Sequence, residues 1–486
     1  MSNQQLDKDA KDLQRLGYVQ ELLREMGGFS NFAVSFSVIS ILTGAIQLFG
    51  YGLQHGGPLQ MAGGWLLVSL FTTFVALSMA ELASSYPTSG ALYHWSTFLG
   101  GRAWGWFTAC FNTIGQFAIL AGIDYGLAQL ILGLGGWNAS PLNLNVLYLL
   151  LLLSHAGLNH IGIKIVAKLN DFSAFYHIAV VLLLLGALLS KGFGQPISFL
   201  TVFHGDPTFS PGYNFVIGLL LAQWTLTGYD ASAHVSEETH DPRRNAPWGV
   251  FTAVAVSIVF GFLMLAAVTL SIPDLDQALK FGDNAFTEIL KLRLGAGFGT
   301  TLAALVLGAM WLCGLASMTS ASRMVYAFAR DGGLPFSKYF AHVSKKFRSP
   351  ANAIWGLTVL AAVLAVSVQA ENAVTSVAVI ALYISYGLPI AARLIARFRG
   401  HYDERGPWDL GKFSNPVAVI AVLWICFISV VFVIPPNLDA GKVLGGLVIA
   451  VILIWFLRAR TRFAGPKYHP RDAARGVARD AARNKH

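Results

Sequence analysis

Apolar residues in this chain come in long blocks, not in alternation. Stretches of roughly 20 apolar residues recur from about residue 30 to about residue 459. About 20 helical residues are enough to cross a hydrocarbon layer ~30 Å thick. Twelve such spans are expected, at roughly 30–53, 61–84, 102–130, 146–166, 171–191, 213–238, 248–271, 298–325, 351–370, 373–396, 415–435 and 441–459. Short polar connections rich in Gly and Pro separate them. Two connections are longer, about 192–212 and 272–297, and "AFTEILKLRLG" in the second predicts a short surface helix. The short alternating strands of a membrane barrel are not seen. The pattern predicts an all-α integral membrane protein. It divides into an N-terminal segment (1–28), a ten-helix core (29–400), helices 11 and 12 (401–460) and a C-terminal tail (461–486).

Composition agrees. Of 486 residues 55% are hydrophobic and 12% charged, with a mean hydropathy of +0.57; a soluble domain carries about twice that share of charge. The length alone would suggest about three soluble domains, which this composition excludes. Cys110, Cys313 and Cys426 lie inside apolar runs and are expected to pack as small hydrophobes, without a disulfide or a metal site. Residues 1–28 are polar with a helical pattern, and the first apolar run lacks a signal-peptidase site.

Charge sets the orientation. With the N-terminus in the cytoplasm, 29 of the 34 Lys and Arg residues fall in inner segments. The outer loops hold only Lys191, Lys280, Lys291, Arg293 and Lys442. Membrane proteins show this bias because cationic loops stay inside. It also accounts for the pI of 9.4 without a nucleic-acid partner. Both termini are thus expected in the cytoplasm. The tail "HPRDAARGVARDAARNKH" reads as a solvated or lipid-surface helix. Compact tails and the lack of a glycosylated outer loop point to a bacterial inner membrane; "NAS" at 138–140 is a poor acceptor because Pro141 follows.

Two spans carry an internal irregularity. Leu42-Thr43-Gly44 lies in the first span and Leu226-Thr227-Gly228 in the sixth, five spans apart and on helices of opposite direction. That suggests two five-helix halves of inverted topology plus two extra helices, with helices 1 and 6 broken, an architecture of many secondary transporters. Glycines such as Gly105, Gly115 and Gly308 read as close-packing positions. Gly44 and Gly228 have different neighbours: Ser40 and Thr43 beside one, Thr225, Thr227 and Asp230 beside the other. Hydroxyls satisfy backbone groups freed by unwinding. The freed N–H groups suit a substrate carboxylate, and the freed carbonyls suit an ammonium group. These residues are the candidate substrate site.

Ionisable residues inside spans are costly and usually functional. Asp230 can serve substrate or proton, or cap the second half-helix. Asp124 lies toward the outer mouth, where it can attract an amine or anchor a neighbouring helix. His177 in the fifth span titrates near neutral pH and can carry a coupling proton, or simply bond a neighbour. Trp224 and Trp311 can cover an organic cation by cation–π contact or act as packing aromatics.

Three stretches resemble a known group. "MAELASSYPTSGALYHW" (79–95), "TGYDASAHVSEET" (227–239) and "SASRMVYAFARDGGLPFSKYFAHVSKKFRSPANAI" (320–354) are similar to the amino acid–polyamine–organocation superfamily, and within it to the amino acid/choline permeases. The resemblance covers roughly residues 21–435. It implies a five-plus-five inverted repeat with alternating access and substrate between the breaks of helices 1 and 6. It implies that Trp224 closes over substrate, and that Glu237, Glu238, Arg330 and Asp331 form or support a cytoplasmic gate. His177 departs from the lysine that many relatives place there, though it can still supply a positive charge in place of sodium. Ala316, at one of two positions where sodium-coupled relatives carry hydroxyls, with Ser317 at the other, argues against a sodium site.

The expected function is secondary transport of a small amino acid or amine through the lipid bilayer, coupled to protons, with exchange of an amine, polyamine or choline as the alternative. A channel would need a continuous polar stripe or a filter motif. An enzyme or receptor is disfavoured: no HExxH, nucleophile elbow, Cys/His cluster or nucleotide loop is found. No cofactor and no metal are expected.

Overall fold

The computed structural model describes residues 3–367, 371–400 and 404–466; the expected tail helix lies outside the described residues. Helices run α1 (Asn3–Arg15), α2 (Gly28–Ile39), α3 (Ile41–Gln54), α4 (Trp65–Ser85), α5 (Leu92–Gly100), α6 (Arg102–Leu134), α7 (Pro141–Ile161) and α8 (Ile163–Ser190). Then come α9 (Pro211–Gly218), α10 (Leu220–Thr225), α11 (Ala231–His234), α12 (Pro242–Leu270), α13 (Leu275–Lys280), α14 (Ala285–Leu294) and α15 (Ala296–Arg330). The chain continues through α16 (Ser337–Phe340), α17 (Ala351–Ser367), α18 (Glu371–Phe398), α19 (Ser414–Val431) and α20 (Leu438–Ile454).

Ten of these segments are long and apolar enough to cross a membrane, with α2 and α3 counted as one. The other two expected spans are shorter pieces: α9, α10 and α11 in the sixth, and α17 in the ninth. The short helix expected in the 272–297 connection is α14, but it is not a surface helix: Phe286, Ile289 and Leu290 are buried where it packs on α15 and α3. The fold is all helical, as a chain in lipid must satisfy its backbone within each segment. The exception is one isolated bridge between Met26 and Thr239.

The two broken segments lie together and run in opposite directions. The second half of one (α3) packs on the first half of the other (α10), and α2 packs on α11. Around this pair, α18 lies along α6, and α12 lies along α2 and α4. The two ends of the described chain meet at one end of the bundle, where Phe463 packs on Tyr93 and Tyr18 bonds His94. The connection containing α13 and α14 lies at the far end.

Candidate functional site

The first break is at Ser40, four residues before the expected Gly44. Ser40 has left-handed backbone (φ 36°) and caps α3 by accepting from the Thr43 amide at 3.4 Å. Its hydroxyl also meets Thr43 Oγ1 at 2.6 Å and His177 Nε2 at 2.7 Å. A hydroxyl that bonds within its own turn competes with the helix ladder, which is why a serine, not a glycine, breaks here. Gly44 lies inside α3 for a different reason. A Cβ on it would fall 2.1 Å from Thr225 Oγ1 and 2.8 Å from the Thr225 backbone. It is the close-approach point of α3 and α10.

The second break falls where expected. Leu226 to Asp230 is unwound between α10 and α11, and Gly228 has φ +94°, a region that favours glycine. Neighbouring hydroxyls take up the freed backbone groups. Tyr383 donates to the Leu226 carbonyl (3.2 Å) and Ser35 to the Tyr229 carbonyl (2.7 Å), while the Gly228 amide donates to the Tyr386 hydroxyl (3.2 Å). Thr225 and Thr227 instead bond back to the Leu221 and Gln223 carbonyls of their own helix.

Asp230 stands at the head of α11 but does not cap it. Its carboxylate is buried and turned toward α6 and α18. It accepts from Tyr386 (2.8 Å), Asn112 (3.1 Å) and Gln116 (3.1 Å), and meets His234 Nε2 at 3.2 Å. Asn112 and Gln116 also donate to Ser385 and Ser320. Three helices therefore converge on one carboxylate, and α15 supports them through Ser320. His234 has acceptors on both sides, since its Nδ1 faces the Ser89 carbonyl at 3.0 Å. A carbonyl accepts only, and so does a carboxylate. His234 thus stands between two acceptors, a carboxylate and a carbonyl.

Toward the far end the site is closed by Trp224, whose indole N–H donates to Gln47 (3.1 Å) while Gln47 donates to the Gly122 carbonyl (3.0 Å). Above that lid lies a cavity of about 440 Å³, lined among others by Gln47, Gln129, Asp283, Thr287, Glu288 and Met310. Asp124 does not face it. Asp124 is buried against His155 of α7. Trp311 packs its ring on His155, ring centroids 5.3 Å apart. It lies nine residues from Ser320, about 13 Å along the helix axis. His177 is buried, with Nδ1 on the Ser173 carbonyl (2.8 Å) and Nε2 on Ser40.

Ion pairs seal the terminal end. Arg330 holds Glu237 by two bonds of 2.8 and 2.9 Å, and Arg323 holds Glu238 by two of 2.8 and 3.0 Å. Such bidentate pairs fix geometry as well as charge. The N-terminal segment lies beneath them. The Tyr18 ring sits 4.0 Å below the Arg330 guanidinium, and its hydroxyl donates to Asp331 (2.8 Å). Tyr93 (3.0 Å) and His94 (3.0 Å) reach the same carboxylate oxygen. Burial pushes the Tyr18 phenol up, with the Asp331 charge beside it acting the same way, so it stays a donor. Burial lowers His94 despite Asp331. Burial alone would raise the Asp331 carboxyl, but the His94 and Tyr18 hydrogen bonds and the Arg330 charge hold it below its ordinary value.

The structure thus gathers Ser40, Thr43, Thr225, Thr227, Gly228 and Asp230 at the crossing of the two breaks, with Trp224 toward the far end and Glu237, Glu238, Arg330 and Asp331 in the contacts of the terminal end. Sequence reasoning missed Asn112, Gln116, Tyr386, His234, Gln47 and Arg323. One signal was present: Asn112 and Gln116 stand four apart on α6, and Tyr383 and Tyr386 three apart on α18, so each pair shares a helix face.

The sequence matches the family described as amino acid permease over residues 27–457. The chain is 38% identical to "Amino-acid permease BAT1" of Arabidopsis thaliana, over 95% of this chain and 96% of that protein. It is 37% identical to "Amino-acid permease BAT1 homolog" of Oryza sativa subsp. japonica, over 93% and 94%. With the "GABA-specific permease" of Saccharomyces cerevisiae the identity is 29%, over 88% and 78%.

Proposed function

Because the chain belongs to the amino acid permease family of the amino acid–polyamine–organocation superfamily, we propose that it is a secondary active transporter coupled to protons. It carries amino acids across a membrane; the finer claims here are alternating access, coupling, and a substrate with a primary or quaternary amine.

One observation carries this reading. The Tyr386 hydroxyl accepts from the Gly228 amide and donates to Asp230. It spans an N–H that suits a carboxylate and a carboxylate that suits an ammonium group. A zwitterion satisfies the same two groups in the same sense, so the hydroxyl reads as a placeholder for substrate. An arriving amine competes with Tyr386, Asn112 and Gln116 for Asp230. The cavity above Trp224 and the seal below Arg330 are the asymmetry that a carrier alternates. A coupling proton would bind at Asp230–His234, where the imidazole faces two acceptors, so substrate and proton meet on one carboxylate. His177 is a further proton candidate, because its ring bonds the Ser40 hydroxyl at the other break.

Exchange of an amine, choline or a polyamine without ion coupling is the second reading, favoured by the carboxylate at the site. The termini are placed in the cytoplasm from charge bias. The relatives named are plant and fungal, so a bacterial inner membrane rests on the tails and loops alone.

The test is uptake by proteoliposomes of purified protein, with γ-aminobutyrate, neutral and basic amino acids, choline and putrescine as probes and an internal pH dye. Accumulation driven by an inward proton gradient, with acidification of the lumen, supports the proposal. Counterflow without proton movement selects the exchanger. No accumulation and no counterflow of any probe refutes both.

A further inference from the structure

The most unusual buried group outside the site is Asp124 with His155. Both are fully buried. His155 Nδ1 lies 3.2 Å from Asp124 Oδ2. The remaining polar atoms, Asp124 Oδ1 and His155 Nε2, have no hydrogen-bond partner. A buried carboxylate is normally satisfied on both oxygens, so this pair is under-bonded for its present charge.

We propose that the Asp124–His155 pair is a second proton-binding site, loaded from the far-end cavity and read by the lid over the substrate site. The inference rests on the proton-coupled reading above. Four observations converge on it.

First, the hydrogen-bond accounting leaves a place for a proton. With Nδ1–H donating to Asp124, the unpartnered Nε2 is the free acceptor. A proton from water adds there and gives an imidazolium facing a carboxylate. The pair then has no net charge, which is far cheaper inside a membrane bundle than a lone negative charge.

Second, the surroundings favour that cation. The Trp311 ring lies 5.3 Å from the imidazole, and an indole attracts a cation. The titratable groups facing the pair are the Tyr148 phenol on α7 and the Cys313 thiol on α15, both neutral when protonated. Tyr148 already donates to the Ala361 carbonyl. Among the described residues no Lys or Arg pairs with Asp124.

Third, α15 closes tightly on one side of the pair. A Cβ on Gly314 of α15 would lie 2.3 Å from Asp124 Oδ1 and 2.5 Å from His155 Cε1. That side has no room for a substrate amine.

Fourth, the pair is wired to the lid. Two residues before Asp124, the Gly122 carbonyl accepts from Gln47, the partner of Trp224. Two residues after it, Gly126 lines the far-end cavity, as does Met310 next to Trp311. The helix that carries Asp124 thus also carries the lid contact and part of the cavity wall.

Full-length protein labelled with 15N-histidine in nanodiscs gives the test, titrated from about pH 5 to about pH 8, the interval in which histidine titrates. The signal lost in His155→Gln identifies His155. Its Nε2 is expected to protonate in that interval, and the midpoint to move to lower pH by about tenfold or more in proton concentration in Asp124→Asn, which removes the opposing charge. A His155 that stays neutral throughout, or a midpoint unmoved by Asp124→Asn, overturns the proposal. If Asp124→Asn does not fold, Trp311→Leu leaves the pair intact and should weaken proton binding about threefold to tenfold; no shift overturns it equally. In proteoliposomes, His155→Gln should carry fewer protons per substrate than the wild type while counterflow persists. Proton flux unchanged from the wild type sinks this inference alone; a wild type that moves no protons sinks the coupling reading with it.

Discussion

The Tyr386 hydroxyl donates to the Asp230 carboxylate at 2.8 Å and in the same position accepts from the Gly228 amide. One side chain from α18 thereby holds the broken segment in its unwound form. Tyr386→Phe keeps the ring and removes both bonds. It should destabilise the protein by about 1–3 kcal/mol, the cost of leaving buried polar groups unpaired, and added substrate should recover more stability than it does in the wild type. Thermal unfolding with and without substrate measures this. Equal ligand shifts in the two proteins would remove Tyr386 from the placeholder role.

At the crossing of the breaks, space is the constraint. Gly44→Ala places a carbon 2.1 Å from Thr225 Oγ1 and 2.8 Å from the Thr225 backbone. Overpacking of this kind costs about 1–3 kcal/mol, and here it pushes α3 off α10. Uptake should fall sharply, and Thr225→Ala should not restore it, because the new methyl still collides with the main chain of residue 225. Full rescue by that second change would mean the hydroxyl alone sets the distance. Gly228→Leu should also abolish uptake while still inserting, since its Cβ meets Val38 at 2.3 Å at a φ of +94°.

The lid offers a binding readout. Trp224→Ala removes the indole and its bond to Gln47, and should weaken substrate binding by about 1–3 kcal/mol if the ring stacks on substrate. Isothermal titration decides; an unchanged Kd would return Trp224 to packing.

At the terminal seal, Arg330→Gln leaves Glu237 buried without its cation, a loss of about 3–5 kcal/mol for a buried pair. The seal should open. Spin labels on the N-terminal segment and on the 332–348 connection should move apart in the variant, and distances identical to the wild type would show that Arg330 does not hold the gate.

The same end should respond to acid. His94 is lowered from its ordinary value of 6.5, chiefly by burial. The folded contact therefore prefers neutral imidazole, and its stabilisation is complete above that value and lost as pH falls through the folded one. Asp331, held low, adds a loss only in stronger acid. Docking of the Tyr18 segment should loosen below about pH 6.5, and His94→Gln should flatten that dependence. Hydrogen exchange of residues 16–26 against pH is the measurement. A wild-type segment equally protected at acid pH would count against it.

The fold was largely legible, because apolar block length is a local property. The scatter of Lys and Arg gives an expected direction for each span. The break at Gly228 was visible because only glycine holds its φ easily. The break at Ser40 was misplaced by four residues, because the Gly44 beside it serves helix packing, and the sequence does not distinguish a glycine that unwinds from one that packs. Asp230 was found, but not the donors that surround it. Asn112, Gln116 and Tyr386 come from two other helices, and their meeting is set by tertiary packing. Arg323 lies in one of the resemblance stretches yet was passed over, since its partner Glu238 is 85 residues away.

The N-terminal segment joins the seal through its main chain. The Glu25 and Met26 amides donate to the Glu238 carbonyl, and the His240 amide donates back to Met26. Only a proline, which lacks the amide hydrogen, would cut that splice by substitution. If the segment after α11 swings during transport, residues 24–26 swing with it, as a short towed strand. On that reading the N-terminus is a moving part, and cargo fused there would add drag to every turnover.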